Sequence, residues 1–240
     1  MSGVFEECAR LVRERDPDRY FSGLFAPAML RPHLFALYAF NHEIARIGET
    51  VREPMLGEIR LAWWRESLEG ARSGAPRPHH VAQALAQTFA AIDLPGALFD
   101  AMIDARQFDL LEGTFEDTAR RDAYVDATSG NVMRLASRIL GGEDRFDDLA
   151  REAGAAYGLC GLLLNRAIGR GRPFIPDDDD TAAAARTHLG LARRMKRPRR
   201  ALPAFLPATL VPIYLRYPRK EVSIHRRQIA LLGASLRGRI

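Results

Sequence analysis

Apolar residues recur every three to four positions along most of the chain, the interval that puts them on one face of an α-helix. Over 34–47, Leu34, Leu37, Tyr38, Ile44 and Ile47 keep this register while Glu43 and Arg46 fall off the stripe. Met55, Ile59, Ala62, Trp63 and Leu68 mark a second helix, opened near Pro54, where a missing N–H costs least. The Ala- and Gln-rich stretch 81–91 has high helix propensity, and Phe99, Met102, Ile103 and Leu110 repeat the pattern over 98–111. Asp126-Ala127-Thr128 leads into a helix over 132–140 that Gly141-Gly142 should stop. A long helix with an apolar face follows over 147–164. Breaks at 73–80, 169–180 and 197–203 are too short for domain linkers. No alternating β-branched series and no fixed-period repeat is visible. The pattern predicts an all-α fold, one domain over 1–240 with roughly eight or more helices.

Composition narrows the function classes. With 47% hydrophobic and 27% charged residues in a chain of 240, a sizeable core is available and wholesale disorder is excluded. The net charge of +5 is unevenly spread. Residues 181–240 hold 14 Lys and Arg against one acid, Glu221, a net +13; residues 1–180 hold 21 basic and 29 acidic residues, a net −8. Such a basic C-terminal segment asks for a partner or a surface. Two cysteines, Cys8 and Cys160, cannot form a disulfide framework, which points to a reducing compartment. The opening MSGVFEECARLVRERD reads as neither a secretory signal nor a transit peptide, and the longest apolar stretch, 202–215, is broken by Pro203, Pro207 and Pro212. A cytoplasmic location, peripheral on an inner membrane, is the expectation. Arg outnumbers Lys 33 to 2, as in a GC-rich bacterial genome.

Most catalytic signatures are absent. The six histidines and two cysteines lack zinc spacing, and there is no phosphate-binding glycine loop or nucleophile elbow. Carboxylates four apart share a helix face and can hold Mg2+; Glu49 with Glu53, Asp100 with Asp104 and Glu112 with Glu116 have that spacing. Solvated helix faces also carry acids at this interval. The aromatics Phe35, Tyr38, Phe40, Trp63 and Trp64 suit a lipid-shaped pocket or ordinary core packing.

Several segments together resemble the squalene/phytoene synthase family. LFALYAFNHEIARIGET (34–50) is similar to the family's first motif helix, in which Ala-Leu-Tyr-Ala-Phe runs into Asp-x-x-x-Asp. IRLAWWRESLEG (59–70) resembles the Trp-Arg helix after it, and 98–110 and 124–141 resemble the central helices. GAAYGLCGLLLNR (154–166) with GRPFIP (171–176) resembles the second motif helix and its exit. The match runs over about 5–215 and implies a helical prenyl-synthase fold around a central cavity.

The departures bear on activity. Where the family places Mg2+-holding aspartates, this chain has Ala45, Arg46 and Glu49, and no acid occurs from Gly154 to Pro176. The pattern resembles a divergent branch that includes the mitochondrial assembly factor for respiratory complex I. That implies a non-catalytic protein aiding assembly of a membrane complex, with no catalytic residue and no cofactor, and with a respiratory-complex subunit or assembly protein as partner. A Mg2+-dependent prenyltransferase is the alternative, with Glu49, Glu53 and Asp109 as improvised ligands. A third reading is an isoprenoid- or quinone-binding module, with Tyr38, Asn41, Tyr124 and Asn165 as pocket residues. The run RRMKRPRR offers Arg193, Arg194, Lys196, Arg197, Arg199 and Arg200 to an anionic membrane surface. It lacks the motif and aromatic interleaving of nucleic-acid binding, which is disfavoured.

Overall fold

The helices follow the sequence pattern closely where proline, aspartate and glycine punctuate it. A computed structural model describes residues 3–51, 53–111, 115–167, 178–217 and 222–240. The chain separates into two compact units, 1–111 and 112–240. Among the described residues there are helices and turns and no strand.

In the first unit, α1 (Gly3–Arg15) buries Phe5, Cys8 and Val12 on one face. It packs against α3 (Arg31–Ala45) and α6 (His80–Ala91). Between α1 and α3, the short α2 (Pro17–Gly23) starts on Pro17, and the Asp16 carboxylate caps it by accepting from the Arg19 N–H at 3.1 Å. α3 is buried continuously from Leu34 to Asn41, so it is an interior helix rather than an amphipathic one. It ends at Ala45, and the chain turns at Arg46 into the single turn α4 (Ile47–Thr50), where the periodicity predicted unbroken helix.

α5 (Pro54–Arg72) and α7 (Gly96–Arg106) complete this unit, followed by a 3-10 turn, Gln107–Leu110. Phe40, Trp64 and Phe99 form an aromatic centre, with ring centroids 5.5 and 5.6 Å from Phe40. Burying each such ring contributes roughly 1.5–3 kcal/mol. Gly48 lets α4 approach the 3-10 turn, because a Cβ there would lie 2.8 Å from the Asp109 carbonyl oxygen.

In the second unit α10 (Asp147–Ala167) is central, packed by α8 (Thr118–Val125), α9 (Asn131–Ile139) and α11 (Asp178–Arg194). Asp117 caps α8, accepting from the Arg120 N–H at 2.8 Å. A wide π-type turn, Asp126–Gly130, joins α8 to α9 and lies against α10. Gly141, at φ +80°, ends the α9 segment; the Gly142 N–H returns to the Ser137 carbonyl at 2.7 Å. This satisfies carbonyls the helix would otherwise orphan.

The proline-rich apolar stretch 202–215 becomes α12 (Leu202–Phe205), a 3-10 turn (Leu206–Leu210) and α13 (Val211–Arg216), each with a proline in its first turn. Phe205, Leu206, Leu210 and Val211 are fully buried, so this stretch is core. The last helix, α14 (Ile224–Arg237), stops at Gly238. Among the described residues no helix is long and apolar enough to cross a membrane.

Candidate functional site

The motif positions are set by the end of α3. Helical spacing carries Asn41, Ala45 and Glu49 along one side, whereas Glu43, Arg46, Ile47 and Thr50 share a neighbouring side. Ala45 supplies no metal ligand. Arg46 supplies a cation, and its Nη1 lies 3.5 Å from Glu43 Oε1. Glu49 and Glu53 are exposed. Asp109 is buried and engaged by Arg106 Nη1 at 3.0 Å.

On α10, residues 154–167 carry no carboxylate, and Asn165 is exposed; the loop 168–177 lies outside the described residues. Among the described residues no three His, Cys, Asp or Glu side chains gather to hold a metal ion. The donor set at the first motif, one alanine and one arginine beside a glutamate, does not fit a Mg2+ cluster.

The seven residues named from the sequence are divided between the units. Tyr38, Asn41, Glu49, Glu53 and Asp109 belong to the first, Tyr124 and Asn165 to the second. Tyr38 is core: 1% of it is exposed, the Arg19 guanidinium lies over its ring at 5.9 Å, and burial pushes its hydroxyl pKa up. Asn41 is buried on the same helix. Tyr124 is half-buried with its ring 5.4 Å from that of Phe115.

Of the other acids at this spacing, those among the described residues each meet an arginine. Asp104 pairs with Arg65 and Asp100 with Arg72 between α7 and α5, and Glu116 pairs with Arg120 at 3.6 Å. Glu112 lies outside the described residues.

A pocket of about 310 Å3 opens instead on the neighbouring side of the motif helix. Glu43, Arg46, Ile47 and Thr50 form one wall; Arg60, Trp63 and Trp64, one turn of α5, form another, and His79 closes it. None of the seven residues lines it. Trp63 and Trp64, read from the sequence as aromatic content and as part of the Trp-Arg helix, do. Arg60 and His79 were missed, although Arg-x-x-Trp-Trp at 60–64 places a cation and two indoles on adjacent turns of one helix.

The aromatic corner is closely packed. Trp63 and Trp64 are near perpendicular with centroids 5.0 Å apart, and His79 stands edge-on at 5.5 and 5.2 Å to them. Trp64, 4% exposed, is anchored on Phe40. Burial, with His80 adding to it, lowers the His79 pKa, so its ring is neutral at pH 7. His79 Nδ1 accepts from the Val81 N–H at 3.3 Å, which leaves the ring proton on Nε2.

Within the basic run, Arg193, Arg194, Lys196, Arg199 and Arg200 are exposed. Arg197 is partly withdrawn: its guanidinium donates to the Arg193 carbonyl, and burial lowers its pKa. Arg193 Nε donates to the Ile240 backbone oxygen at 3.0 Å, tying Ile240 to α11.

The family profile for squalene/phytoene synthase matches residues 12–205. A complex I assembly factor 6 from Bos taurus is 29% identical over 90% of this chain and 74% of its own length. The Homo sapiens protein of that name is 26% identical over 89% and 73%. A presqualene diphosphate synthase from Rhodopseudomonas palustris is 28% identical over 63% of this chain and 55% of its own. A crystal structure of a dehydrosqualene synthase in complex with ligand superposes with a TM-score of 0.80 over 98% of this chain and 96% of that one, at 15% identity. A squalene synthase from Alicyclobacillus acidocaldarius gives 0.64 over 98% and 94%, at 23% identity. These likenesses show the all-helical synthase fold.

Proposed function

Because the chain belongs to the squalene/phytoene synthase family yet carries Ala45 and Arg46 where the family's motif places aspartates, we propose that it is a non-catalytic member. In this reading it acts in the assembly of respiratory complex I, holds no cofactor, and works at a membrane surface.

One observation carries the loss of prenyl transfer. On the side of the motif helix where the family's aspartates fall, Ala45 offers no ligand atom and Glu49 is left as a single carboxylate, too few for a Mg2+-diphosphate site. A dication bound there would have no ligand from Ala45 to balance its charge. The assembly role draws on the similarity to proteins named complex I assembly factor 6, which extends over about nine-tenths of this chain.

The likeness to a presqualene diphosphate synthase keeps a second reading in play, condensation of prenyl diphosphates with improvised ligands. Two experiments separate them. Purified protein with Mg2+ and farnesyl diphosphate is expected to release no pyrophosphate, alongside an active synthase as control. Deletion in the host is expected to lower assembled complex I and its NADH:ubiquinone activity. Pyrophosphate release at a synthase-like rate overturns the first claim; unchanged complex I overturns the second.

A further inference from the structure

We propose that the pocket formed by Arg46, Arg60, Trp63, Trp64 and His79 binds a small organic monocarboxylate with a flat apolar body. The site lies on the side of the motif helix away from Ala45 and Glu49, and it stands independently of the assembly reading.

Its charge balance selects a monoanion. Two guanidiniums and one carboxylate line it, and His79 is neutral, leaving one net positive charge. Arg46 is shared with Glu43 at 3.5 Å. Arg60 is exposed and donates from Nη1 to the Thr50 hydroxyl at 3.0 Å, with no carboxylate in ion-pair reach among the described residues. A guanidinium so placed has donors free for a two-pronged contact with a carboxylate. A phosphate dianion would overcompensate the charge beside Glu43.

The rest of the pocket selects the body of the ligand. Trp63 is half-exposed, its ring held by Trp64 and His79, and Ile47 supplies an apolar floor. Arg77 lies 5.5 Å over the Trp63 ring and is paired with Glu66, so it caps the indole rather than serving as a second anion anchor. About 310 Å3 is at the small end of ligand sites, roughly 300–1,000 Å3. The aromatic corner, anchored on Phe40 through Trp64, is preformed, so binding orders little.

The chain contains two tryptophans, and both line this pocket, so tryptophan emission reports on it. Phenylacetate is the probe, with phenylacetamide as its uncharged counterpart and inorganic phosphate and pyrophosphate as competing anions. Phenylacetate should change the tryptophan emission saturably, and phenylacetamide should bind at least about tenfold more weakly, the factor expected for a charge-assisted hydrogen bond. Arg60→Gln should weaken phenylacetate by about tenfold or more, and Arg60→Lys, which keeps the charge but not the fork, by less. Arg60 is exposed, so both variants should fold, which circular dichroism verifies. No saturable change, equal binding of the amide, unaltered affinity in folded Arg60→Gln, or tighter binding of either phosphate would each overturn the assignment.

Discussion

Arg106 Nη1 lies 3.0 Å from Asp109 Oδ2, and only 14% and 10% of the two side chains remain exposed. The pair ties the end of α7 to the 3-10 turn that follows it. Asp109 therefore serves the fold, and its carboxylate is already committed to a cation.

Asp109→Ala would leave the Arg106 guanidinium largely buried without this partner. Breaking a buried ion pair from one side costs about 3–5 kcal/mol, and the residual exposure here brings the expected loss to about 2–3 kcal/mol. Urea unfolding of the two proteins measures it. Isothermal titration with Mg2+ should give no binding heat in either; a heat present in the parent and lost in the variant would make Asp109 a metal ligand.

Two glycines on α10 should respond in opposite directions. A Cβ on Gly154 would lie 2.6 Å from Gly130 Cα and 2.8 Å from Gly130 N, backbone atoms of the π-type turn that cannot step aside. A Cβ on Gly161 meets nothing within 4 Å. Gly154→Ala should destabilise by about 1–3 kcal/mol through overpacking. Gly161→Ala should stabilise by about 0.5–1 kcal/mol, since alanine loses less backbone freedom in a helix. Thermal melts of both variants check the contrast, and equal shifts would refute the close crossing.

Acid should weaken the fold through three half-buried histidines. Burial lowers the pKa values of His33, His42 and His79 below 6.5. Below pH 6.5 the unfolded chain binds protons at these rings that the folded chain refuses. The stability they contribute is fully present above pH 6.5 and is lost as pH falls through the folded values, at up to about 1.4 kcal/mol per histidine per pH unit. Urea midpoints between about pH 7.5 and 5 should fall, and His33→Gln should flatten the slope. His33 is the cleanest choice, because burial alone lowers its pKa; its Nδ1–H donates to the Thr88 hydroxyl at 3.0 Å, whose own proton goes to the Ala84 carbonyl.

Local signals were legible where they were chemical. Pro54 opens α5, Gly141 with Gly142 closes α9, and the break at 73–80 separates α5 from α6. The turn at Arg46 was not legible, because its cause is tertiary: α4 approaches the backbone of Asp109 through Gly48. The missing motif acids could be read directly, since absence of a ligand type needs no geometry. The 310 Å3 pocket could not, because its lining joins α3, α4, α5 and the residue before α6, each unremarkable alone. Likewise 202–215 reads as an apolar stretch between arginines, and only packing against α9, α10 and α14 shows it to be core.

With that stretch buried, the proposed membrane-surface role would rest on α14. Ile229, Leu232 and Leu236 are 71, 48 and 79% exposed and lie within about 60° of one another around the helix, while Leu231 and Ala234 face inward. Arg226 and Arg237 lie along one side of this ridge. An apolar ridge edged by arginines suits the headgroup boundary of an anionic bilayer, where each basic side chain near the surface adds about 1 kcal/mol. At 14 residues the helix is too short to span, so it would lie in the surface plane. Vesicles containing phosphatidylserine should retain the protein in flotation more strongly than phosphatidylcholine vesicles, and added salt should weaken retention. Leu236→Glu should reduce it severalfold without lowering the melting temperature, because Leu236 is mostly in solvent already. Replacing Arg199 and Arg200 with Gln should remove part of the salt-sensitive fraction and leave the apolar contribution intact. Equal retention on the neutral vesicles, or none on the anionic ones, would assign the ridge to a protein partner instead.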